Sequence, residues 1–561
     1  MAEWAFFSAT NDSGPDLEGL VKAPCLSFDV ESTGTDVGSS VALGLSLASN
    51  PLDGYYSHIE NHFFMNLLAM NKLYIAHNAP YDRSMVKKAG VIVDNIADTM
   101  VAAHLLEFPQ LSLKELTHHR VKSFSDLKHG FAGMNVLQIG EYSCPHSKEA
   151  FRLWVEFEKR LEELALLGIF WNIEMPLVPV LSDMELNGIM VSKEVLGELG
   201  ELFDEKASVL KSALDYWSGT PNTNFNSPDQ VARIFYDKLG ITPHPWQRTA
   251  SGRSTVLAKY LETVKKEHPI LPIYLAYKEL MTLKNSYVKS LGASIHPDGR
   301  VYGKFNQTGT RTGRLSSSDP NLQKIPVRTG LGRRIRTAFV APEGKKLLKG
   351  DYDILELKVL AIASKNQYLL DAFKQGRDIH TETAIRAFSD TSKRGKGKTM
   401  NYQIVYGGGG MATRNMFFVA YPGVDGWINS VHKIAQSAGY IRTLNGRIRT
   451  IHEYEYEPGG FIPYGARMAH GDREALSTLI QGTSAEEVKV GMRNLWEKVR
   501  DSDVKMLLQV HDELLLEVPE DIVMDVAKIM KEEMTIRKYE IPLTVSISVG
   551  DNWGSMAKLD V

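Results

Sequence analysis

The sequence predicts a multidomain protein of mixed α/β and α+β class, and three observations lead there. At 561 residues the chain exceeds one ordinary core and suits about three or four, at 100–200 residues per domain. In its first third, short apolar runs that end in polar residues alternate with helical stretches, the pattern of an α/β domain over 1–168. Near its end, Val504 to Val510 and Leu514 to Val518 flank His511-Asp512-Glu513 as two β-type runs, a hairpin with carboxylates at its tip.

The first apolar run, Pro24 to Val30, is short enough to be a buried strand and continues into Glu31; a second, Leu73 to Ala76, ends in His77-Asn78. Thr99 to Leu106 reads as a helix between such strands. From Ser147 to Gly168, Phe151, Trp154, Val155, Leu161, Leu164 and Leu167 recur at roughly helical spacing, an amphipathic helix expected to close the first domain. A Lys- and Glu-rich helical stretch then runs to about Leu291, broken by turn signals around Pro221 to Pro228. Asp351 follows the apolar pair Leu347-Leu348, and a helix is expected over Leu355 to Ala363. Leu543 to Val549 alternates in period two and reads as a half-buried strand.

Composition narrows the function classes. A hydrophobic fraction of 43% and a charged fraction of 23% are those of a globular protein, with no apolar run of the roughly 18 residues that cross a bilayer. The start, Met1-Ala2-Glu3-Trp4, lacks a secretory pattern, so a cytoplasmic protein is expected, in the host cytoplasm if the source is a phage. Two cysteines, Cys25 and Cys144, cannot make a four-ligand zinc site and are expected to be unpaired. A net charge of −3 gives no whole-chain signal for nucleic acid. Local basic clusters do: Arg333, Arg334 and Arg336; Lys345, Lys346 and Lys349; and Lys393, Arg394, Lys396 and Lys398. Any one of them alone reads as a solvated face.

Asp351 and Asp512, each at a strand end, could hold two magnesium ions roughly 3.5–4 Å apart, as in-line nucleotidyl transfer requires. Taken singly, either is more often a turn or cap residue. Arg394, Lys398, Tyr402 and Tyr406 recur every four residues and so share one helix face. Two cations and two aromatic rings on one face suit a nucleoside triphosphate, and a merely solvated basic face does not explain the rings. Asp29 and Glu31, two residues apart on a strand, share a face and suit a metal pair.

Motif after motif over residues 170–561 resembles the DNA polymerase I family (family A). Thr312-Gly313-Arg314-Leu315-Ser316-Ser317, with Pro320-Asn321-Leu322-Gln323 and Ile325-Pro326, is similar to its primer–template grip. Asp351-Tyr352-Asp353-Ile354-Leu355-Glu356-Leu357 and Gln509-Val510-His511-Asp512-Glu513 resemble its two palm motifs. The resemblance implies that Arg314, Arg473, Gln481 and His511 contact DNA. It implies that Arg394, Lys398 and His380 hold the triphosphate, with Lys398 also the proton donor to pyrophosphate, and that Tyr402 and Tyr406 pack on the nucleotide side. Glu356 would close the space of a ribose 2′-hydroxyl. Asp353-Ile354-Leu355 replaces the usual Ser-Gln-Ile, and Lys358 the usual arginine.

The first domain resembles the 3′→5′ proofreading exonucleases attached to this family, which implies Asp29, Glu31 and Asp82 as ligands of Mg²⁺ or Mn²⁺ and Tyr142 as the residue that orients the attacking water. The third motif, usually Tyr-x-x-x-Asp, reads Tyr142-Ser143-Cys144-Pro145-His146. Three readings stay open: an active exonuclease with altered metal preference, a slow one, or a scaffold. His146 reads either as a ligand or as a surface or helix-start histidine that binds nothing.

The resemblance implies an RNase H-like exonuclease domain over 1–168 and a right-hand polymerase domain over 169–561. Within the latter the thumb falls near 190–290, the palm at 291–365 and 481–561, and the fingers at 366–480. It implies a DNA-dependent DNA polymerase with two Mg²⁺ ions, acting on primer–template DNA and dNTPs, monomeric, with replication accessory proteins as further partners. The short stretch ahead of Asp29 suits a phage-like form without a preceding nuclease domain. A single-subunit RNA polymerase, or a DNA-binding protein with an inactive exonuclease scaffold, are the alternatives; Glu356 and the leading domain speak against the first, and intact Asp351 and Asp512 against the second.

Overall fold

The computed structural model describes residues 4–8, 16–248, 252, 254–327, 329–452 and 464–561, the side chains of 4–8 and 464–467 excepted. In the first domain β1 (Trp4–Ser8), β2 (Cys25–Ser32), β3 (Ala42–Ala48), β4 (Asp53–His58), β5 (Leu73–Ala76) and β6 (Ile96–Asp98) form one sheet in the order β1-β4-β3-β2-β5-β6. Strand β5 runs parallel to β2 and β6, and the other pairs are antiparallel. The central strands are buried on both faces, as near-continuous apolar runs require. Helix α1 (Ala79–Lys88) starts at Asn78, which adopts a left-handed φ of 71°.

The helix expected from Ser147 starts earlier: α2 spans Val136–Glu163 and takes in the whole third motif. Asn135 and Gln138 close a capping box at its N-terminus. Pro145, which reads as a breaker, only deprives the Glu141 carbonyl of its N–H partner. Packing on the sheet offsets that loss: Ser27 and Ser46 donate to the Ser147 and Ser143 carbonyls at 2.6 and 3.1 Å. At Gly54, a Cβ would lie 2.8 Å from that of Cys144, so only glycine allows this approach. Both cysteines are free, Cys144 buried and Cys25 half-buried.

The remainder is largely helical around a second sheet. Helix α3 (Lys193–Ser218) packs on Ile270–Leu283, and Leu214, Phe225, Phe235 and Tyr274 give this bundle a core of its own. The sheet contains β7 (Lys345–Tyr352), β8 (Lys505–Val510), β9 (Glu513–Pro519), β10 (Val545–Gly550) and β11 (Ala557–Leu559), ordered β8-β9-β7-β10-β11 and antiparallel throughout. Around it lie α4 (Leu355–Ser364), α5 (Ile379–Phe388), α6 (Arg394–Val405) and the long α7 (Tyr464–Val499). Among the described residues no single helix is long and apolar enough to cross a membrane.

Two polar junctions bind the halves together. Glu174, after the first domain, is fully buried and accepts from Lys489 of α7 at 2.7 and 2.9 Å, from Gln307 at 2.9 Å, and from Arg447. Arg83 of α1, 1% exposed, donates to Asp94 and Asp183 at 2.7 and 2.8 Å, and Arg500 reaches Asp94 at 2.7 Å. Buried charges persist only when paired in this way.

Candidate active sites

At the larger site, β7 and the β8–β9 hairpin bring Asp351 and Asp512 to one end of the sheet. Asp351 lies opposite Glu513, and the Tyr352 N–H donates to the Asp512 carbonyl at 3.1 Å. His511 takes a φ of 58°, which makes the tight turn between the strands. Burial, followed by the charge of Asp351, pushes the Asp512 carboxyl up to about 7; burial also raises that of Asp351. Two desolvated carboxylates that repel each other are a fitting receptor for divalent cations. Lys349 stands 3.6 Å from Asp351 and 3.4 Å from Glu513, and Arg336 donates to Glu513 at 2.9 Å while stacking on Trp553.

A cavity of about 560 Å³ opens over Asp512, lined by Arg314, Glu356, Tyr402, Tyr406, Ser484 and His511 among others. Glu356, in the first turn of α4, pairs with Arg314 and accepts from the Tyr406 phenol. Tyr402 of α6 and Tyr406, the residue just past its end, stack at 6.2 Å and 19°, which brings the two aromatic members of the expected stripe together. Arg394 at its other end pairs with Asp378 at 2.5 Å. His380 is 3% exposed, receives an Asn401 amide contact at 3.0 Å on Nδ1, and lies near Arg394 and Lys398.

The structure leaves two predicted contacts apart from this cavity. Arg473 and Gln481 share α7 with Ser484, yet Arg473 lines a separate cavity behind Gly407, and Gln481 donates to Ser477 at 2.7 Å. In turn, Ser484, Ala485 and Val488 line the main cavity although no motif marks them; small residues on one face of a helix are their only signal in the sequence.

In the first domain Asp29 and Glu31 project from β2, and Asp82 lies in the first turn of α1. Glu31 and Asp82 have carboxyls raised well above the usual range, by burial first and by Asp29 next. Glu31 Oε1 is buried with no hydrogen-bond partner among the described residues, an orphan that a cation would satisfy. Asp29, Glu31 and His146 bring ligand-type atoms within 4.8 Å of one another. The Tyr142 ring lies 4.6 Å from that of His146 at a tilt of 40°, and its phenol is pushed up by burial and then by Glu31 and Asp29. His146 is 8% exposed and sits within α2, so the helix-start reading is corrected: the helix begins ten residues earlier, at Val136.

Residues 193–555 match the family model "DNA polymerase family A", and residues 16–133 match "3'-5' exonuclease", a match that ends before Tyr142 and His146. DNA polymerase I of Chloroflexus aurantiacus is 34% identical, over 96% of this chain and 62% of the relative. DNA polymerase I of Pseudomonas aeruginosa is 32% identical over 96% and 64%, and the thermostable enzyme of Thermus aquaticus 37% identical over 72% and 50%. The chain thus spans between half and two thirds of the length of these relatives. A solved structure, the POL domain of Pol1 from M. smegmatis in complex with DNA primer-template and dNTP, superposes with a TM-score of 0.86 at 27% identity, covering 96% of this chain and 98% of that one.

Proposed function

Because the chain belongs to DNA polymerase family A, we propose that it is a template-directed DNA polymerase that adds dNTPs to a primer 3′ end, with a 3′→5′ exonuclease domain in front. The observation that carries this reading is the cavity joining Asp512, Glu356, Tyr402 and Arg314 beside Asp351. The exonuclease domain is assigned to 1–168 and the polymerase domain to 169–561, with thumb near 190–290, palm at 291–365 and 481–561, and fingers at 366–480.

Asp351 and Asp512 would hold two Mg²⁺ ions, which when bound supply an activated primer hydroxyl and charge neutralisation at the triphosphate. The protein's own groups do the rest. Arg394, Lys398 and His380 bind the triphosphate and stabilise the charge of departing pyrophosphate, with Lys398 positioned to give it a proton. Tyr402 and Tyr406 pack against sugar and base. The Glu356 carboxylate, held by Arg314 and Tyr406, fills the space of a 2′-hydroxyl and so selects deoxynucleotides. Arg314, Arg473, Gln481 and His511 contact the DNA. Asp29, Glu31 and Asp82 would bind Mg²⁺ or Mn²⁺ in the exonuclease site, where Tyr142 orients water.

A 5′-labelled primer on its template tests the reading. Extension is expected with dNTPs and not with NTPs, and Asp351→Ala is expected to abolish it. Incorporation of NTPs at equal rates would favour an RNA polymerase, and no extension in either Mg²⁺ or Mn²⁺ would overturn the assignment. Shortening without dNTPs that Asp29→Ala removes would establish the exonuclease.

A further inference from the structure

In the polymerase site, β7 ends at Tyr352, just past Asp351, and α4, which carries Glu356 in its first turn, starts at Leu355, so Asp353 and Ile354 alone join the two. Ile354 takes a left-handed backbone conformation, with a φ of 52° and a ψ of 41°. A β-branched side chain crowds that region, where glycine or asparagine is the usual occupant. The conformation of Ile354 sets the angle at which α4 leaves the strand, and with it where the Glu356 carboxylate lies relative to Asp351.

A ring of hydrogen bonds closes around this strained residue. The Asp353 N–H donates to the Thr544 carbonyl at 2.9 Å, and the Thr544 hydroxyl donates back to the Asp353 carboxylate at 2.9 Å. The Lys358 ammonium donates to the same hydroxyl at 2.7 Å, while the Lys358 N–H donates to the Ile354 carbonyl at 3.2 Å. The direction of this relay follows from the groups themselves: an ammonium only donates, a carboxylate only accepts, and a hydroxyl does both. Lys358 is 7% exposed, and the charge of Asp353 opposes the effect of burial on it. An ammonium so far from water is held in place by its partners. Thr544 directly precedes β10, where Ser546 lies opposite Asp351, so the relay ties the link to the strand beside β7. Asp353 and Lys358 are two of the positions at which the sequence departs from the family pattern, and they meet on one hydroxyl.

We infer that Lys358, Thr544 and Asp353 are positioning residues that hold Ile354 in its left-handed conformation and thereby place Glu356 for sugar selection. This deepens the proposal that Glu356 selects deoxynucleotides and rests on it. None of the three lines the cavity over Asp512, so they act through the backbone of residue 354 and not by touching the nucleotide.

The test reads the ratio of kcat/KM for a dNTP to that for the matching NTP, in single-nucleotide incorporation by the full-length chain. Thr544→Val keeps the shape and removes the hydroxyl, and it is expected to lower the ratio by at least about fivefold, whereas Thr544→Ser, which keeps the hydroxyl, stays within about twofold of wild type. Lys358→Met replaces the ammonium by an apolar chain of similar length; it is expected to lower the ratio as well, and it decides the matter should Thr544→Val not fold. With Ile354→Asn, whose left-handed conformation needs no clamp, adding Thr544→Val is expected to change the ratio by less than about twofold. An unchanged ratio in a folded Thr544→Val or Lys358→Met, or a fall in kcat/KM shared equally by dNTP and NTP, would overturn the inference, as would an equal effect of Thr544→Val with and without Ile354→Asn. Glu356→Ala tests the reading beneath it. A ratio that Glu356→Ala leaves unchanged would remove the role of Glu356 and this inference with it, whereas a ratio lowered by Glu356→Ala but by neither Thr544→Val nor Lys358→Met would overturn the inference and leave that role standing.

Discussion

Tyr402 is a phenol in a cavity whose other polar groups include Glu356, Asp512 and Arg314. Burial, followed by the charges of Glu356, Asp512 and Asp351, pushes the pKa of its phenol above the ordinary tyrosine value, so it stays a neutral hydrogen-bond donor. A neutral phenol can stand in for the 3′-hydroxyl that a dideoxynucleotide lacks. Wild-type protein is therefore expected to incorporate dideoxynucleotides nearly as well as dNTPs, while Tyr402→Phe discriminates by about tenfold or more, the value of one hydrogen bond. Competitive single-nucleotide incorporation measures the ratio; equal discrimination in both proteins would refute the role. Glu185 offers a residue-scale test of stability. It is 5% exposed, accepts the Phe305 N–H at 2.8 Å, and burial pushes its carboxyl up to about 7 from 4.5. The folded state thus binds the proton more tightly than the unfolded state, so stability is greatest at low pH, falls between about pH 4.5 and 7, and stays low above. Glu185→Gln keeps the acceptor and removes the titration. It is expected to raise Tm at pH 8 and change it little at pH 5, as thermal unfolding at both values will show.

At the scale of elements, the stripe on α6 works only if that helix lies tightly on α5. Gly397 provides the approach, since a Cβ there would sit 2.3 Å from the His380 carbonyl oxygen and 3.1 Å from the Ala384 nitrogen. Backbone cannot yield as a flexible side chain can. Gly397→Ala is expected to push α6 away and cost about 1–3 kcal/mol, with the KM for dNTP rising as Arg394 and Lys398 move. Steady-state extension and denaturant unfolding report the two effects separately; an unchanged KM would mean that the helix pair does not set the triphosphate position. The sequence-level reading of the elements was good where periodicity is strong: β2, β5, α4 and the β8–β9 hairpin fall within a residue or two of expectation. It failed at α2, because proline in a helix is penalised locally and rescued only by contacts with β2, β3 and β4.

Across the whole molecule, the cluster of Glu174, Arg447, Lys489 and Glu486 ties the segment just after the first domain, whose Phe170, Ile173 and Met175 pack into that domain's core, to the rest of the second domain through charges that are almost fully buried. Lys489 and Arg447 hold the Glu174 carboxyl down, to about 2, against the opposing effect of burial. Removing Glu174 would leave the Lys489 ammonium unpaired in a dry site. Glu174→Ala is expected to destabilise the protein by about 3–5 kcal/mol, and denaturant unfolding is expected to separate into two transitions as the domains uncouple. A single transition at the original midpoint would remove this cluster from the account of how the domains are held.

By itself the sequence determined the family, the order of the two domains and most side chains of the larger site. Those residues stand in short runs, such as Gln509 to Glu513, whose spacing on strand or helix dictates a shared face. Tertiary structure decided what depends on distant partners. Arg473, on one helix with Ser484, lines a different cavity, and Gln481 of the same helix donates to Ser477. Asp512 acquires its raised carboxyl from burial beside Asp351, which lies on another strand. His146 is expected at a surface or helix start or as a ligand; it lies inside α2, with its Nε2 2.7 Å from the distant Lys122 carbonyl. Local spacing fixes which way a side chain leaves the backbone; what it meets there is set by segments far away in the chain.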